Sequence, residues 1–166
     1  DDYLRVIRYK TAKLFEASAR LGAVLANAPR DVEEACADCG RALGTAFQLV
    51  DDLLDYEGDT HALGKNVGDD LREGKPTLPL LVAMARSADA ERQLIRHAIE
   101  HGELDRLKDI IAIVRQTGAT LFGDNCAACH GQSGGGAPGF PNLRDDAWLW
   151  GSAPDAIAET IRAGVH

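Results

Sequence analysis

Residues 47–55 read FQLVDDLLD, a stretch in which Asp51, Asp52 and Asp55 interrupt an otherwise mostly apolar helical pattern. Residues three or four positions apart lie on one flank of a helix, so the three carboxylates crowd together and repel one another unless a cation joins them. Hard divalent cations such as Mg²⁺ prefer oxygen ligands and commonly bind phosphate groups at the same time. The alternative is that the three acids form only the solvated face of an amphipathic helix.

The composition favours a helical globular protein. The chain has 166 residues, of which 45% are hydrophobic and 5% aromatic, enough for one ordinary domain or two small ones. A formal net charge of −8 argues against a nucleic-acid-binding surface, because such surfaces cluster lysine and arginine. No apolar run approaches the roughly twenty residues of a membrane-spanning helix. Because the chain starts at Asp1 without a methionine, we expect a fragment or a processed product.

Apolar periodicity predicts two long helices before the glycine-rich loop that begins at Gly58. The first is expected from about Tyr3 to Ala28, and the second is expected to carry the aspartates near its C-terminal end. The residues expected to face the core are Leu4, Ile7, Leu14, Leu21, Val24 and Leu25 in the first helix and Leu43, Phe47, Val50 and Leu54 in the second. Further helices are predicted over residues 80–86, 89–101 and 104–116.

A longer motif string surrounds the aspartates. Residues 9–12 read YKTA, residues 64–70 read GKNVGDD, and residues 73–75 read EGK. With these motifs, residues 1–119 resemble the C-terminal half of an all-trans polyprenyl diphosphate synthase, most closely the bacterial octaprenyl type. The resemblance implies an all-α fold, a partial isoprenoid-synthase helical bundle around a deep cavity, and a homodimer in the parent synthase.

The resemblance also implies a metal-dependent prenyl transfer in isoprenoid biosynthesis. It assigns Asp51, Asp52 and Asp55 as Mg²⁺ ligands, and Lys10, Thr11, Gln48 and Lys65 as catalytic residues that face or hold the diphosphate, with Lys75 as a weaker candidate. The resemblance places Lys10 and Thr11 at a helix irregularity. Without the resemblance, Lys10 would be interpreted as a solvent-exposed lysine on a helix. In this chemistry Mg²⁺ neutralises the leaving diphosphate of an allylic prenyl diphosphate, and the alkene of isopentenyl diphosphate attacks the allylic cation.

Part of this machinery is expected upstream of residue 1. The family has a first aspartate-rich motif and an isopentenyl diphosphate site before the region that residues 1–119 resemble. Because both would precede Asp1, we expect that a polypeptide of these 166 residues alone is inactive in condensation.

Residues 126–130 read CAACH, the attachment signature of c-type haem. The thiols of Cys126 and Cys129, one helical turn apart, suit the two haem vinyl groups, and His130 suits the iron. With WLWG at residues 148–151, residues 120–166 resemble a truncated cytochrome c-like helical domain from the diheme subunit of a cbb3-type cytochrome oxidase. The methionine that supplies the second axial ligand in that family would follow the end of this sequence, and His166 is a weak substitute.

Three hypotheses remain for the whole chain. It is a prenyltransferase-family fragment (residues 1–119) fused to a partial haem domain (residues 120–166), a c-type cytochrome electron carrier, or an artefactual join of two unrelated gene fragments near residues 118–120. The synthase part is expected in the cytoplasm, whereas c-type haem is expected to be attached on the periplasmic side. We favour a join over a natural bifunctional protein because no signal or anchor reconciles the two compartments.

Overall fold

A computed structural model describes residues 2–57 and 67–145. These residues form helices and turns without any β-strand, which confirms the all-α prediction for the described part of the chain. The elements are α1 (Asp2–Ile7), a π-helical segment (Arg8–Ala12), α2 (Lys13–Leu25), α3 (Arg30–Glu57), α4 (Asp69–Arg72), α5 (Leu78–Arg86), α6 (Asp89–His101), α7 (Leu107–Asn125) and α8 (Ala127–His130). Within the described ranges, no helix is both long and apolar enough to cross a membrane.

The chain divides into two compact units, Asp1–Thr117 and Gly118–His166. In the first unit, the single helix predicted from Tyr3 to Ala28 is interrupted by the π-helical segment Arg8–Ala12. The flanking residues Ile7 and Lys13 keep right-handed helical dihedral angles, so the chain continues without a break. Single π-helical turns inside α-helices are frequent at functional sites. This one contains Lys10 and Thr11, where the resemblance implied an irregularity.

Small residues bring α2 and α3 into close contact. Gly40 and Gly44 lie one helical turn apart on α3 and both face Phe15 of α2. A Cβ atom at Gly44 would lie 2.7 Å from the Cα atom of Ala12, and one at Gly40 would lie 2.5 Å from the carbonyl oxygen of Phe15. No side chain larger than hydrogen therefore fits at either position without a shift of the backbone.

The predicted apolar stripes of the first two helices are wrong, with Ile7 as the exception. Leu14 is 69% exposed, Leu43 59% and Phe47 56%, and the other residues of the two stripes are exposed as well. The buried positions of α3 are instead Ala37, Gly40, Gly44, Gln48, Asp52 and Tyr56. An apolar pattern in the sequence does not reveal this buried face of α3. Its first half consists of small residues, which allow close helix packing, and its second half carries polar side chains.

The main apolar core of the first unit lies around the C-terminal end of α3. It comprises Tyr56, Leu71, Leu80, Ala83, Ile95, Ala98, Ile110 and Val114. The hydroxyl groups of Tyr56 and Thr77 lie 3.0 Å apart inside this core. The last turn of α3, directly after the aspartates, is therefore anchored in this core through Tyr56.

The helices after the loop lie close to their predicted positions. The helix predicted over residues 80–86 is α5, and the one predicted over residues 89–101 is α6. Gly102 ends α6 with φ +66°, a left-handed conformation that glycine adopts without strain. The helix predicted to end at residue 116 continues as α7 to Asn125.

The described part of the second unit forms a turn-rich segment around α8. The amide of Gly136 donates to the carbonyl oxygen of His130 at 2.9 Å, and the amide of Leu143 donates to that of Gly134 at 2.8 Å. These hydrogen bonds fold the chain after α8 back toward His130. The motif at residues 148–151, His166 and the rest of the predicted haem domain beyond residue 145 lie outside the described residues.

Candidate functional site

A cavity of about 730 Å³ opens in the first unit between α1, the π-helical segment, α3 and the stretch from residue 67 to residue 81. It brings together five of the predicted site residues: Lys10, Gln48, Asp51, Asp52 and Asp55. Thr11 reaches the same group through a hydrogen bond to Gln48. Lys65 lies outside the described residues.

A network of neutral donors holds the carboxylate of Asp52. The amide nitrogen of Gln48 donates to Asp52 Oδ1 at 2.8 Å, and the hydroxyl of Tyr3 donates to Asp52 Oδ2. The hydroxyl of Thr11 donates to Gln48 Oε1 at 2.6 Å, which fixes which way the Gln48 amide points. Asp52 is only 4% exposed and Gln48 6%, so these bonds satisfy groups that water barely reaches.

Tyr3 is the residue of this network that sequence reasoning missed. Burial first, and then its hydrogen bond to Asp52, raise the pKa of Tyr3 above the ordinary range of a phenol, so Tyr3 stays a donor at neutral pH. In a regular α-helix a spacing of seven residues would place Tyr3 and Lys10 on one face, and both residues line the cavity. This spacing could have indicated that Tyr3 belongs to the site, but the sequence analysis used Tyr3 only as the expected start of the first helix.

The other two aspartates of the cluster have different surroundings. Asp51 is half-buried, and its Oδ2 lies 3.4 Å from the amide nitrogen of Gln48. Asp55 accepts from the backbone N–H groups of Asp69 and Asp70, at 3.2 Å each. Burial raises the pKa of Asp55, and the backbone N–H of Asp70 offsets that rise only in part. The three carboxylates therefore have three distinct environments along one helix flank.

Two lysines line the cavity and differ in their partners. Lys75 Nζ lies 2.9 Å from Asp70 Oδ1 and 2.6 Å from Glu73 Oε2, and hydrogen bonds to these two carboxylates raise the pKa of Lys75. Lys10 is exposed, and no residue in the ranges 2–57 and 67–145 forms an ion pair with it. Lys10 is thus the more available positive charge in the described wall of the cavity.

The donor set suits a hard cation without forming a closed metal site. In the described ranges, no group of three or more Asp, Glu, His or Cys side chains converges as metal ligands. Mg²⁺ commonly keeps several waters and takes one or two carboxylates together with substrate phosphates. Asp51 and Asp52, side by side on the cavity wall, fit this open type of site.

The second unit presents the other predicted site. Cys126 and Cys129 are free and exposed, and the amide of His130 donates to the carbonyl oxygen of Cys126 at 3.0 Å. His130 Nδ1 lies 3.0 Å from the carbonyl oxygen of Pro141. A carbonyl oxygen only accepts, so Nδ1 carries the hydrogen, and in the neutral ring Nε2 then has a free lone pair. Two thiols one turn apart and an available Nε2 fit the covalent and axial bonds of c-type haem.

Comparison with known proteins shows to which family residues 1–114, the larger part of the chain, belong. Residues 1–114 match the family model described as "Polyprenyl synthetase". The chain belongs to the polyprenyl synthetase family. As a member of this family, it is 58% identical over 102 residues to octaprenyl diphosphate synthase of Escherichia coli (strain K12), across 61% of this chain and 32% of the relative. The chain therefore spans about a third of the length of that curated relative.

A solved structure supports the same fold for the polyprenyl synthetase part. The crystal structure of a decaprenyl diphosphate synthase from Rhodobacter capsulatus superimposes with a TM-score of 0.62 and 47% sequence identity. The match covers 70% of this chain and 36% of that one.

The rest of this polyprenyl synthetase chain matches a second family. Residues 116–165 match the family model described as "Cytochrome c". Over 57 residues the chain is 58% identical to the "Cbb3-type cytochrome c oxidase subunit FixP" of Bradyrhizobium diazoefficiens, across 34% of this chain and 20% of that protein. These findings confirm both resemblances inferred from the sequence.

Proposed function

We propose that the first unit forms the Mg²⁺- and diphosphate-binding part of a prenyltransferase site of isoprenoid biosynthesis. Its substrates would be an allylic prenyl diphosphate and isopentenyl diphosphate. The observation that carries the proposal is the cavity in which Lys10, Gln48, Asp51 and Asp52 meet. Membership of the polyprenyl synthetase family supports the same substrate class.

The charge of the cavity wall explains why the diphosphate would need metal. The described wall carries the carboxylates of Asp2, Asp51, Asp52, Asp55, Asp69, Asp70 and Glu73, and the ammonium groups of Lys10 and Lys75. An anionic diphosphate would be repelled by such a surface unless cations reversed its sign. When bound, Mg²⁺ would supply that positive charge and stabilise the leaving diphosphate.

The residues around the metal would have separate tasks. Asp51 and Asp52 would hold Mg²⁺, while Gln48, Thr11 and Tyr3 keep the Asp52 carboxylate in one orientation. Lys10, at the cavity wall and without an ion pair in the described residues, would contact the diphosphate directly. The assignment of Lys65 to the same substrate remains a prediction.

A calorimetric titration tests this site. We expect a non-hydrolysable allylic diphosphate analogue to bind the chain only when Mg²⁺ is present, and Asp51→Ala to weaken that binding by about tenfold or more. Asp38→Ala is the matched control, because Asp38 lies on the same helix, is exposed and pairs with Arg41 outside the cavity. Equal binding by the wild-type chain and Asp51→Ala would show that the site is assigned wrongly.

We also propose that a polypeptide of these 166 residues does not condense the two substrates by itself. The pattern of two aspartates, two further residues and a third aspartate occurs once in the sequence, at residues 51–55. The Mg²⁺ ions would therefore be held from one side only. Chain elongation by the pure polypeptide, with Mg²⁺ and both substrates present, would contradict this proposal.

The second candidate function, electron transfer by a c-type haem, rests on a specific observation in the second unit. The bond from His130 Nδ1 to Pro141 leaves Nε2 available beside two free thiols. The join of two gene fragments remains a hypothesis beside it, because the two family matches meet between residues 114 and 116. Genomic DNA read across the codons of residues 118–120 tests that hypothesis.

A further inference from the structure

Two histidines lie side by side at the C-terminal end of α6. His97 and His101 are one helical turn apart, so their side chains leave the helix on the same face. Their imidazole rings stack with centroids 4.2 Å apart and an angle of 21° between the ring planes. Both residues are exposed, so a dissolved ion can reach them. The pair therefore places two imidazole groups within reach of one small ligand.

One nitrogen of each ring faces an acceptor. His101 Nδ1 lies 2.9 Å from the carbonyl oxygen of His97, and His97 Nδ1 lies 3.5 Å from Glu103 Oε2. Carbonyl and carboxylate oxygens accept hydrogen bonds, so each Nδ1 carries a hydrogen, and in the neutral rings each Nε2 has a free lone pair. Histidines that bind metal ions commonly donate the other ring N–H to a carboxylate or a backbone carbonyl group. His97 and His101 have one partner of each kind.

The backbone beneath the pair is held on the other side of α6. Ile95 and Ala98 are buried in the main apolar core of the first unit. Gly102 ends the helix, and a Cβ atom at that position would lie 2.5 Å from the carbonyl oxygen of Arg72, the last residue of α4. The end of α6 thus packs closely on the end of α4. Because the core fixes this end of the helix, the two rings start from preorganised positions.

A histidine near the C-terminal end of a helix can also serve only to interact with the helix dipole. That role needs a positive charge on one ring and gives no reason for a second ring stacked on it. Two protonated rings with centroids 4.2 Å apart would repel one another, whereas two neutral rings can share one cation. The stacking and the two Nδ1 partners therefore favour a metal site.

We propose that His97 and His101 form a binding site for a divalent transition-metal ion such as Zn²⁺. Nε2 of each ring would be a ligand, while Glu103 and the carbonyl group of His97 orient the rings. Imidazole nitrogen suits Zn²⁺, Cu²⁺ and Ni²⁺, whereas Mg²⁺ and Mn²⁺ favour oxygen ligands.

The proposed metal site has two protein ligands, and water would complete the coordination. This agrees with the finding that no group of three or more Asp, Glu, His or Cys side chains converges in the described part of the chain. No residue of α6 lines the cavity described above, so the two sites are separate. The inference therefore stands independently of the proposed prenyltransferase function.

Titration of the full chain with Zn²⁺, followed by the ¹⁵N signals of the imidazole rings, tests the site in a buffer in which imidazole is neutral. Zn²⁺ is added in excess over the thiols of the four cysteines, which also bind it. We expect the Nε2 signals of His97 and His101 to shift with one common midpoint, and both Nδ1 atoms to keep their hydrogens. Mg²⁺ should leave these signals in place. Unchanged Nε2 signals, a shift of one ring alone, or equal shifts with Mg²⁺ would overturn the proposal.

His97→Gln and His101→Gln assign the ring signals and measure what each ring contributes. Each variant should weaken Zn²⁺ binding at the remaining ring by about tenfold or more, because one of the two protein ligands is lost. A single remaining ring that binds Zn²⁺ as tightly as the pair does would overturn a shared site.

Glu103→Gln tests the carboxylate that orients His97. Glutamine keeps nearly the same size but accepts a weaker hydrogen bond, so we expect Zn²⁺ binding about tenfold weaker. Glu91→Gln is the matched control, because it removes the same charge from the first turn of α6, at the other end of the helix. It should leave the Zn²⁺ midpoint unchanged. Equal effects of the two variants would overturn the orienting role of Glu103.

Discussion

Replacing Gly44 with alanine is expected to lower the free energy of unfolding of the first unit by about 2 kcal/mol. The added Cβ would lie 2.7 Å from the Cα of Ala12 and 2.8 Å from the Cβ of Phe15, so α2 and α3 must move apart. This cost exceeds the roughly 1 kcal/mol by which alanine is the better helix former. Urea denaturation followed by circular dichroism measures the difference.

Gly22→Ala is the matched control for this prediction. Gly22 lies inside α2, and no atom would come within 4 Å of a Cβ added there. The same substitution should therefore stabilise the unit by about 0.5–1 kcal/mol, because it removes only the conformational cost of a helical glycine. If both variants shift the unfolding midpoint in the same direction, α2 and α3 do not pack as described.

Expression with haem-attachment machinery is expected to load the second unit with covalent haem. We expect a sharp band in the visible spectrum after reduction, and complete loss of covalent haem when Cys126 and Cys129 are both replaced by serine. The reason is that each thiol would form one of the two bonds to the porphyrin, and both are free and exposed. Haem staining after denaturing electrophoresis measures the covalent bonds directly.

The chain supplies its own control for haem attachment. Cys36 and Cys39 have the same spacing as the haem cysteines but are followed by Gly40 instead of histidine. Serine at both of these positions should leave the haem content unchanged. A wild-type chain without a reduced band would remove the electron-carrier hypothesis, and haem retained without Cys126 and Cys129 would show that the attachment site is wrong.

The sequence predicted the helices well and their buried faces poorly. Periodicity located α5 and α6 because their apolar residues face the core of their own unit. In α3 the apolar periodicity selected Leu43 and Phe47, which are exposed. An apolar side chain favours burial, but its position in the sequence does not show which element would cover it. The face of α3 that packs on α2 consists of glycine and alanine, so the apolar periodicity did not predict it.

The candidate site was predicted as a set of residue types, and its connections became visible only in three dimensions. The motif string marked Gln48 and Asp52, but the bond from Tyr3 joins positions 49 residues apart in the sequence. The backbone amides that hold Asp55 have no sequence signal, since every residue except proline carries one. Motifs therefore found the chemical groups, whereas the contacts that hold each aspartate depend on its neighbours in the fold.

Mn²⁺ in place of Mg²⁺ tests the central claim most directly, because its paramagnetism broadens nuclear resonance signals near the bound ion. With the allylic diphosphate analogue present, we predict that the amide signals of Lys10, Gln48 and Asp52 and the phosphorus signals of the bound analogue broaden together. Signals from α6 should stay sharp, since no residue of that helix lines the cavity. Broadening centred away from residues 48–55, or phosphorus signals unaffected by bound Mn²⁺, would contradict a metal-bridged diphosphate in this cavity.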